Sequence, residues 1–427
     1  MLINLPEKYY PVLSRQRKIV FYNNENVDFL FSAGQDVVIY CVTLERAVNM
    51  HYGVSRNMYR IPFVTGYAEA LPAYYWRITI PREKLLYPGF YDINIVIDHG
   101  DGTQTEDLCV FGYDAENMVM PVYRPDDFES FWSDSIGRLV SIPLNSECTH
   151  QRDYTGEEID EYNMSNAAIA RDYDKDGHIY ESVSAYKVSF DSVGGKRIYG
   201  MLAKPIGDGP FPVMVIFPGA GNKGRPFPLE HARHGYLAID INVHGCKADM
   251  ELEEYPALPN GVNDGSFHYF KDVYAHIVQA VSYMASRNDA DPGRIAVAGG
   301  SQGGRLSIAC AALDKRVKAV VAAITWWAGM PYLFNAQKSQ DDGMGREVWD
   351  ACGNEAYYDV LNHAPDVKCP VLLNVGLTDG TSPAQCVYGM YQNLGTRDKK
   401  IVAFPSMGHD WSAAFDIEAW KWLNAKL

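Results

Sequence analysis

The stretch Ala296–Leu313 reads AVAGGSQGGRLSIACAAL and places Ser301 between two pairs of glycines. The apolar residues before the serine predict the end of a strand, and the Ala- and Leu-rich residues after it predict a helix. A serine in such a turn has a strained backbone that raises its hydroxyl above the sheet. Gly299 and Gly303 must then be small because the strand and the helix cross closely. The pattern therefore predicts that Ser301 is a nucleophile.

From about residue 185 onward, apolar segments alternate with segments of helical period. The apolar segments predict strands and read FPVMVIFPGAG, YLAIDINVHG, RIAVAGGS, VKAVVAAITWW, PVLLNVGLTD and KIVAFPSMGHD. The predicted helices between them include FKDVYAHIVQAVSYMASR and GGRLSIACAALD. This alternation predicts a mostly parallel sheet that is covered by helices on both faces. Ligands of such sheets bind at the carboxyl ends of the strands.

A serine hydroxyl becomes nucleophilic at neutral pH only when a base and an orienting acid accompany it. In folds with this serine turn, the acid and the base follow the serine along the chain, each after a later strand. Asp379 follows PVLLNVG and His409 follows KIVAFP, so we expect Ser301, Asp379 and His409 to form a catalytic triad. His363 precedes its strand and His244 precedes the serine, so both are rival bases in less suitable places.

An oxyanion hole needs two backbone N–H groups that point at the developing charge. We expect one from Gln302, directly after the serine. The other is expected from the loop after VMVIF, where Pro218, Gly219, Ala220 and Gly221 let the backbone approach the site. Ala220 is the best candidate for this second donor.

The N-terminal part of the chain has a different pattern. From about residue 17 to residue 112, short alternating segments such as DVVIYCVTL and YDINIVID are separated by turn-rich pieces such as SAGQD and DHGDGTQ. This pattern predicts a small antiparallel, Ig-like β-sandwich. We expect that sandwich domain over residues 1–118 and an α/β catalytic domain over residues 119–427, with an insertion around 148–182. An amphipathic helix in DDFESFWSDSIGRLV should open the second domain.

Composition narrows the classes of function. The chain has 427 residues and a formal net charge of -15, so its field repels phosphate backbones and anionic membranes, and neither nucleic acid nor a membrane is an expected partner. The eight cysteines lack CxxC spacing, which argues against a zinc site and against a dense disulfide framework. Without a recognisable signal peptide or a membrane-spanning apolar run, we expect a cytoplasmic protein. A periplasmic or secreted protein is the alternative if a signal precedes the given sequence.

The chain resembles the acetyl xylan esterase and cephalosporin C deacetylase family of carbohydrate esterases over most of residues 122–427. The similar stretches are DDFESFW, GGKRIYGMLAKP, DADPGRIAVAGGSQGGRLSIACAALDKRVKAVVA and YYDVLNHAPDVKCPVLLNVGLTDGTSP. The resemblance implies an α/β-hydrolase fold and deacetylation of sugar-borne acetyl esters with no required cofactor. It also implies a triad on Ser301, Asp379 and His409.

Three motifs of that family are altered in this chain. Its HGY motif reads Pro218-Gly219-Ala220, its RGQ motif reads His244-Gly245-Cys246, and its HE motif reads His409-Asp410. Backbone donation from Ala220 needs no particular side chain. The departures therefore bear on substrate choice and assembly more than on catalysis.

An acidic stretch, DYDKDGHIYES, resembles the first half of a calcium loop. It places Asp172, Asp174 and Asp176 at alternate positions before Gly177, although the closing glutamate of a full loop is replaced by Val183. A structural Ca²⁺ in the loop 172–181 and a plain acidic surface turn both remain open.

Two tryptophans and a histidine are candidates for the substrate pocket. Trp326 and Trp327 follow the strand AVVAAIT, so they lie at the ligand end of the sheet, where they could stack on a sugar ring or fill the core. His244 follows a strand at the same end.

The leading hypothesis is a serine carboxylesterase that removes acetyl or short acyl groups from acetylated oligosaccharides or small acetyl esters. A prolyl-oligopeptidase-like peptidase shares the fold and the triad order, but roughly 120 residues cannot build the usual β-propeller of such enzymes. A non-catalytic carbohydrate-binding protein is the alternative of another class, and we would expect it to lack a triad member. A homo-oligomer is compatible with each reading.

Overall fold

A computed structural model describes residues 19–165, 177–220, 224–249, 269–338 and 353–427. The strands are β1 (Ile19–Tyr22), β2 (Leu30–Phe31), β3 (Val37–Thr43), β4 (Asn49–Arg56), β5 (Val64–Tyr67), β6 (Glu69–Ala70), β7 (Tyr75–Ile80), β8 (Gly89–Asp98), β9 (Gln104–Tyr113), β10 (Glu147–Thr155), β11 (Ser182–Asp191), β12 (Arg197–Pro205), β13 (Phe211–Phe217), β14 (Leu237–Asn242), β15 (Ala290–Gly300), β16 (Val317–Ala323), β17 (Val371–Gly376) and β18 (Lys399–Phe404). The α-helices are α1 (Phe128–Gly137), α2 (Gly156–Ser165), α3 (Leu229–Arg233), α4 (Tyr269–Ala285), α5 (Gln302–Leu313), α6 (Met330–Lys338), α7 (Glu355–Tyr358), α8 (Val360–His363), α9 (Ala384–Asn393) and α10 (Ala413–Lys426).

The N-terminal strands form two sheets, with the orders β1-β3-β7-β6 and β2-β9-β8-β4-β5. Their strand pairs are antiparallel apart from β2 with β9, which is parallel. Strand β3 buries every second residue, because successive side chains of a strand point to opposite faces. Ile39 and Ile78 of the first sheet share one apolar core with Ile93 and Phe111 of the second. The predicted N-terminal all-β region is confirmed.

The remaining strands form one sheet with the order β10-β11-β12-β14-β13-β15-β16-β17-β18. All pairs from β14 through β13, β15, β16 and β17 to β18 are parallel. The strands β10, β11 and β12 pair antiparallel, and β12 joins β14 antiparallel. Every residue of β14, LAIDIN, and of β17, VLLNVG, is buried. Central parallel strands read this way because helices cover both of their faces. The chain has the α/β-hydrolase fold that the sequence predicted.

Helices lie on both faces of this sheet. On one face, Val213 and Val215 of β13 share a core with residues of α4 and α5. On the other face, Met214 of the same strand shares a core with Phe415 and Trp422 of α10. The alternation along β13 thus fixes which helix covers which face. The predicted helices FKDVYAHIVQAVSYMASR and DDFESFWSDSIGRLV correspond to α4 and α1.

The N-terminal sheets pack directly on the α/β part of the chain. Val375, near the end of β17, and Leu377, directly after that strand, belong to the apolar core of the two N-terminal sheets. The backbone N–H of Phe90 donates to Oε1 of Gln385 in α9 at 2.9 Å. The two parts therefore share side-chain packing and hydrogen bonds.

Strand β10 lies in the segment where an insertion was expected, around 148–182. It pairs antiparallel with β11 at the edge of the nine-stranded sheet. Its sequence, ECTHQRDYT, is exposed at every position except Tyr154. Charged and polar residues are typical of edge strands, which they protect from further pairing. Because apolar residues do not alternate along it, this strand could not be predicted from its sequence.

Among the described residues, no helix is both long enough and apolar enough to cross a bilayer. The proposed calcium ligands Asp172, Asp174 and Asp176 lie outside the described residues.

Candidate active site

Ser301 lies in the turn between β15 and α5, where its backbone has φ 57° and ψ -117°. A positive φ is unfavourable for a residue with a side chain and persists only where the surrounding structure holds it. The N–H of Ser301 donates to the carbonyl oxygen of Ala323, the last residue of β16, at 2.9 Å. This strained turn holds the serine at the carboxyl end of the sheet.

The glycines on either side of the serine lie where the strand and the helix almost touch. A Cβ atom on Gly303 would lie 2.2 Å from the carbonyl oxygen of Phe217, and one on Gly299 would lie 2.6 Å from the carbonyl carbon of Gly303. Backbone atoms at such distances cannot give way to a side chain. The close crossing therefore requires glycine at both positions.

The structure brings Ser301, His409 and Asp379 into one chain of hydrogen bonds. His409 Nε2 lies 2.9 Å from Ser301 Oγ, and His409 Nδ1 lies 2.8 Å from Asp379 Oδ2. The other carboxylate oxygen of Asp379 accepts hydrogen bonds from the N–H groups of Thr381 and Ser382, both at 2.8 Å. Asp379 is buried, with 2% of its surface exposed. These contacts hold the carboxylate in place behind the imidazole.

This geometry supports proton transfer from the serine hydroxyl. The buried Asp379 carboxylate favours the tautomer in which His409 carries its proton on Nδ1. The lone pair of Nε2 then faces Ser301 Oγ. An imidazole in this arrangement can accept the hydroxyl proton as the oxygen attacks a carbonyl carbon.

The family model for acetyl xylan esterase (AXE1) matches residues 153–426. The chain belongs to the acetyl xylan esterase family. This membership makes it a carboxylic ester hydrolase. Among curated proteins, it is similar to the acetyl esterase Axe7A of Xylanibacter ruminicola, with 28% identity over 377 residues, which cover 82% of this chain and 77% of that protein.

Two solved structures of acetyl xylan esterases share the fold. The esterase from Paenibacillus sp. R4 has 24% sequence identity and a TM-score of 0.57, and the match covers 73% of this chain and 98% of that one. Acetyl xylan esterase 1 from Thermoanaerobacterium sp. JW/SL YS485 has 21% identity and a TM-score of 0.58, with 72% of this chain and 96% of that one covered.

The expected oxyanion donors of this esterase lie on either side of the serine turn. Gln302 is the first residue of α5, and its side chain is buried. The loop after β13 runs beside the turn, since a Cβ atom on Gly219 would lie 3.7 Å from the carbonyl oxygen of Gly300. Ala220 is exposed in this loop. Donation by the two backbone N–H groups stays a prediction.

The two rival histidines of the esterase are engaged elsewhere. His244 is buried beside the serine turn, its Nδ1 is hydrogen-bonded to the hydroxyl of Tyr269, and its Nε2 lies 3.5 Å from Nε2 of Gln302. Burial lowers the pKa of His244 to about 4. His363 is buried in the core, its Nε2 lies 2.9 Å from the carbonyl oxygen of Tyr357, and burial lowers its pKa to about 3. Ser301 is instead hydrogen-bonded to His409.

The two candidate pocket tryptophans lie next to the turn. Trp326 and Trp327 meet edge to face, with ring centroids 4.6 Å apart, and both are half-buried. The backbone N–H of Trp326 donates to the carbonyl oxygen of Ser301 at 3.2 Å. This hydrogen bond holds the backbone of Trp326 against that of Ser301. Contact of either ring with a sugar stays a prediction.

One charged residue near the serine was not singled out from the sequence. Arg305 has no exposed surface, and its guanidinium carbon lies 4.1 Å from the ring centroid of Phe270 and 4.6 Å from that of Trp327. Its Nε donates to the hydroxyl of Tyr274 at 2.8 Å. A guanidinium over aromatic faces is stabilised by cation–π interaction. A lone arginine in the apolar helix GGRLSIACAAL was the signal that could have found it.

Proposed function

We propose that this chain is a serine esterase that removes acetyl or other short acyl groups from acetylated saccharides through an acyl-enzyme intermediate on Ser301. The observation that carries the proposal is the hydrogen-bonded chain from Ser301 Oγ through His409 to Asp379. Its position on a strained turn at the carboxyl end of the sheet supports a nucleophilic role. Similarity to an acetyl esterase over 82% of the chain supports acetyl as the acyl group that is removed.

In the first half of the proposed reaction, His409 Nε2 accepts the proton of Ser301 Oγ while this oxygen attacks the acetyl carbonyl carbon. The carbonyl oxygen becomes an oxyanion, which the backbone N–H groups of Gln302 and Ala220 stabilise. Collapse of the tetrahedral intermediate breaks the bond to the sugar oxygen. His409 returns its proton to that oxygen, so the deacetylated sugar leaves with its hydroxyl restored and the acetyl group stays on Ser301.

In the second half, water takes the place of the sugar hydroxyl. His409 accepts a proton from the water, and the resulting hydroxide attacks the acetyl carbonyl carbon. The bond to Ser301 Oγ then breaks as His409 returns its proton to the serine, and acetic acid leaves and ionises to acetate and a proton. The cycle consumes one ester and one water and yields one sugar hydroxyl, one acetate and one proton, with no electron transfer.

The proposed sugar side of the pocket includes Trp326, Trp327 and His244. A half-buried aromatic ring offers an apolar face on which the C–H face of a sugar can pack. His244 adds a neutral imidazole beside Gln302, since burial lowers the pKa of His244 to about 4. Polar and apolar groups are thus available to a sugar near the serine.

The decisive experiment compares acetate release from acetylated xylan, small acetylated sugars and cephalosporin C. We expect wild type to release acetate from at least one acetylated saccharide. Labelling by a fluorophosphonate probe should occur in wild type and be absent in Ser301→Ala. Folded wild-type protein that neither reacts with the probe nor releases acetate would overturn the proposal. Labelling without any acetate release would retain the serine hydrolase and reject the acetylated saccharides.

A further inference from the structure

A second cluster of ionisable side chains lies at the opposite end of the sheet from Ser301. It consists of His178, Glu230 and His234, each of which offers one ligand atom, and these atoms all lie within 4.8 Å of one another. His234 comes three residues before Leu237, the first residue of β14. The cluster therefore lies at the amino end of a parallel strand, whereas Ser301 follows the carboxyl end of β15.

The spacing on the chain explains how two of the three side chains meet. Glu230 belongs to the short helix α3, and His234 follows its last residue. Residues four apart lie on the same face of a helical turn. His234 Nδ1 accordingly lies 3.4 Å from Glu230 Oε1. His178 comes from a distant part of the chain, and its Nε2 lies 2.6 Å from the same oxygen.

The two carboxylate oxygens of Glu230 have different surroundings. Oε2 accepts a hydrogen bond from Nδ2 of the buried Asn163 at 2.9 Å and lies 3.6 Å from a guanidinium nitrogen of Arg233. Oε1 faces the two imidazoles. One oxygen is thus held by the surrounding protein while the other points between two nitrogen ligands, as in a carboxylate that binds a metal through one oxygen and is oriented through the other.

The rings of the two histidines are also held in place. His234 stacks on Trp420 with a centroid distance of 3.8 Å and an interplanar angle of 3°. The ring of His178 meets that of His234 edge to face at 5.0 Å. Side chains that are fixed before binding lose little conformational freedom when a ligand arrives.

We propose that His178, Glu230 and His234 bind a divalent transition-metal ion of the zinc class. Two imidazole nitrogens and one carboxylate oxygen suit Zn²⁺, whereas Ca²⁺ and Mg²⁺ require oxygen ligands. Ligand atoms about 2.0 to 2.2 Å from a tetrahedral zinc ion lie roughly 3.4 Å from one another, which is the distance between His234 Nδ1 and Glu230 Oε1. His178 Nε2 is hydrogen-bonded to the same oxygen at 2.6 Å and must move away from it to reach this spacing.

Binding changes the tautomer of His234. Nδ1 lies 2.9 Å from the carbonyl oxygen of Glu230, to which it can donate a hydrogen bond without a metal. Coordination requires the lone pair of Nδ1, so the proton moves to Nε2. His178 Nε2 can donate to Glu230 Oε1 without a metal, so its proton likewise moves to Nδ1 when it coordinates. Three protein ligands leave a fourth position for water. A cavity of about 590 Å³, which His234 and Ile179 line, lies beside the cluster.

The site stabilises the fold and takes no part in ester hydrolysis. The bound metal links the segment before β11, where His178 lies, to the turn between α3 and β14, where His234 lies. Because the metal binds the folded chain alone, its binding energy adds to the stability of that chain.

The test is calorimetric titration of Zn²⁺ into the chelator-treated full-length protein. We expect one zinc ion per wild-type chain. Affinity should fall more than about 100-fold in His178→Gln and by roughly 10- to 100-fold in Asn163→Ala, which changes only the support of Glu230. His150→Gln is the matched control, because His150 is an exposed imidazole paired with Asp153. It should bind zinc as wild type does.

Two further measurements do not depend on a variant that folds. Co²⁺ bound to wild type should give the intense visible absorption of a tetrahedral site with nitrogen and oxygen ligands. Zn²⁺ at about 100 times its Kd should raise the Tm of wild type by roughly 3 °C. Wild type that binds no Zn²⁺, or a His178→Gln variant that binds it as tightly as wild type, would overturn the site. A Ca²⁺ signal that His178→Gln abolishes would overturn the assigned metal class.

Discussion

The two ends of the nine-stranded sheet each place an imidazole against a carboxylate, but the third partner differs. At the carboxyl end, His409 lies 2.8 Å from Asp379 and reaches Ser301 Oγ at 2.9 Å with its other nitrogen. At the amino end, His178 lies 2.6 Å from Glu230, and a second imidazole faces the same oxygen. A histidine between a carboxylate and a hydroxyl can move a proton. Two histidines around one carboxylate oxygen can instead direct their lone pairs at one metal ion once their facing nitrogens have lost their protons.

The comparison predicts that a substitution at the carboxyl end abolishes esterase activity, whereas one at the amino end leaves this activity unchanged. Ser301→Ala should lower kcat/KM for 4-nitrophenyl acetate by up to about 10⁶-fold, because the members of a triad act as one unit. His178→Gln should leave kcat/KM within about twofold of wild type. Both values come from steady-state rates of purified protein. Retention of a tenth of the wild-type rate in Ser301→Ala would mean that another group is the nucleophile.

The two carboxylates provide a second contrast. Asp379→Asn should lower kcat by about 10⁴-fold, because an amide in that place favours the wrong tautomer of His409. Glu230→Gln should keep kcat near the wild-type value and weaken zinc binding instead. Steady-state kinetics and zinc titration of the same two preparations measure both effects. A Glu230→Gln variant that loses esterase activity while it stays folded would contradict the separation of the two ends.

A third prediction tests whether the imidazole of His244, which also lies at the carboxyl end, acts as a general base beside His409. Burial lowers the pKa of His244 to about 4, so this side chain stays neutral above about pH 5 and gains a proton only below it. His244→Gln should lower kcat/KM no more than about tenfold, the cost of one altered polar contact. The pH profile of kcat/KM between pH 5 and 9 should keep the wild-type shape. Loss of the acidic limb in His244→Gln would make His244 a titrating participant.

The carboxyl end was easier to predict from the sequence than the amino end. Ser301, Asp379 and His409 each follow a predicted strand, and a parallel sheet brings the ends of its strands together. The strained turn also has a local pattern, since Gly299 and Gly303 are required by the approach of two backbones.

Nothing comparable marks the amino end of the sheet. Glu230 and His234 show helical spacing, but His178 lies 52 residues before Glu230, and its position depends on how the chain packs. Cysteine spacing argued against a zinc site, yet that argument does not address histidine and carboxylate ligands. The cation–π contacts of Arg305 could not be predicted from the sequence either, because Phe270 and Trp327 approach it only through tertiary packing.

The smallest expected effect concerns the acyl side of the carboxyl end. Ala220 is exposed in the loop after β13, at the position where the similar esterases are expected to have the tyrosine of an HGY motif. A missing ring beside the scissile carbonyl leaves space for a longer acyl chain. Each additional methylene that fits there favours binding by up to about 0.8 kcal/mol, a factor of about four. The space should widen the range of acyl groups without excluding acetyl esters.

The comparison that tests this expectation uses kcat/KM for 4-nitrophenyl acetate, propionate and butyrate. Wild type should hydrolyse propionate and butyrate better, relative to acetate, than Ala220→Tyr does, because the new ring fills the space that the longer chains need. Ala220→Ser is the matched control, since it adds one oxygen and no ring, and it should keep the wild-type profile. The effect belongs to the carboxyl end alone, so zinc binding at the amino end should be equal in all three proteins. If Ala220→Tyr and wild type show the same dependence on chain length, the side chain at this position does not line the acyl pocket, and Trp326 becomes the next residue to substitute because its backbone is bonded to Ser301.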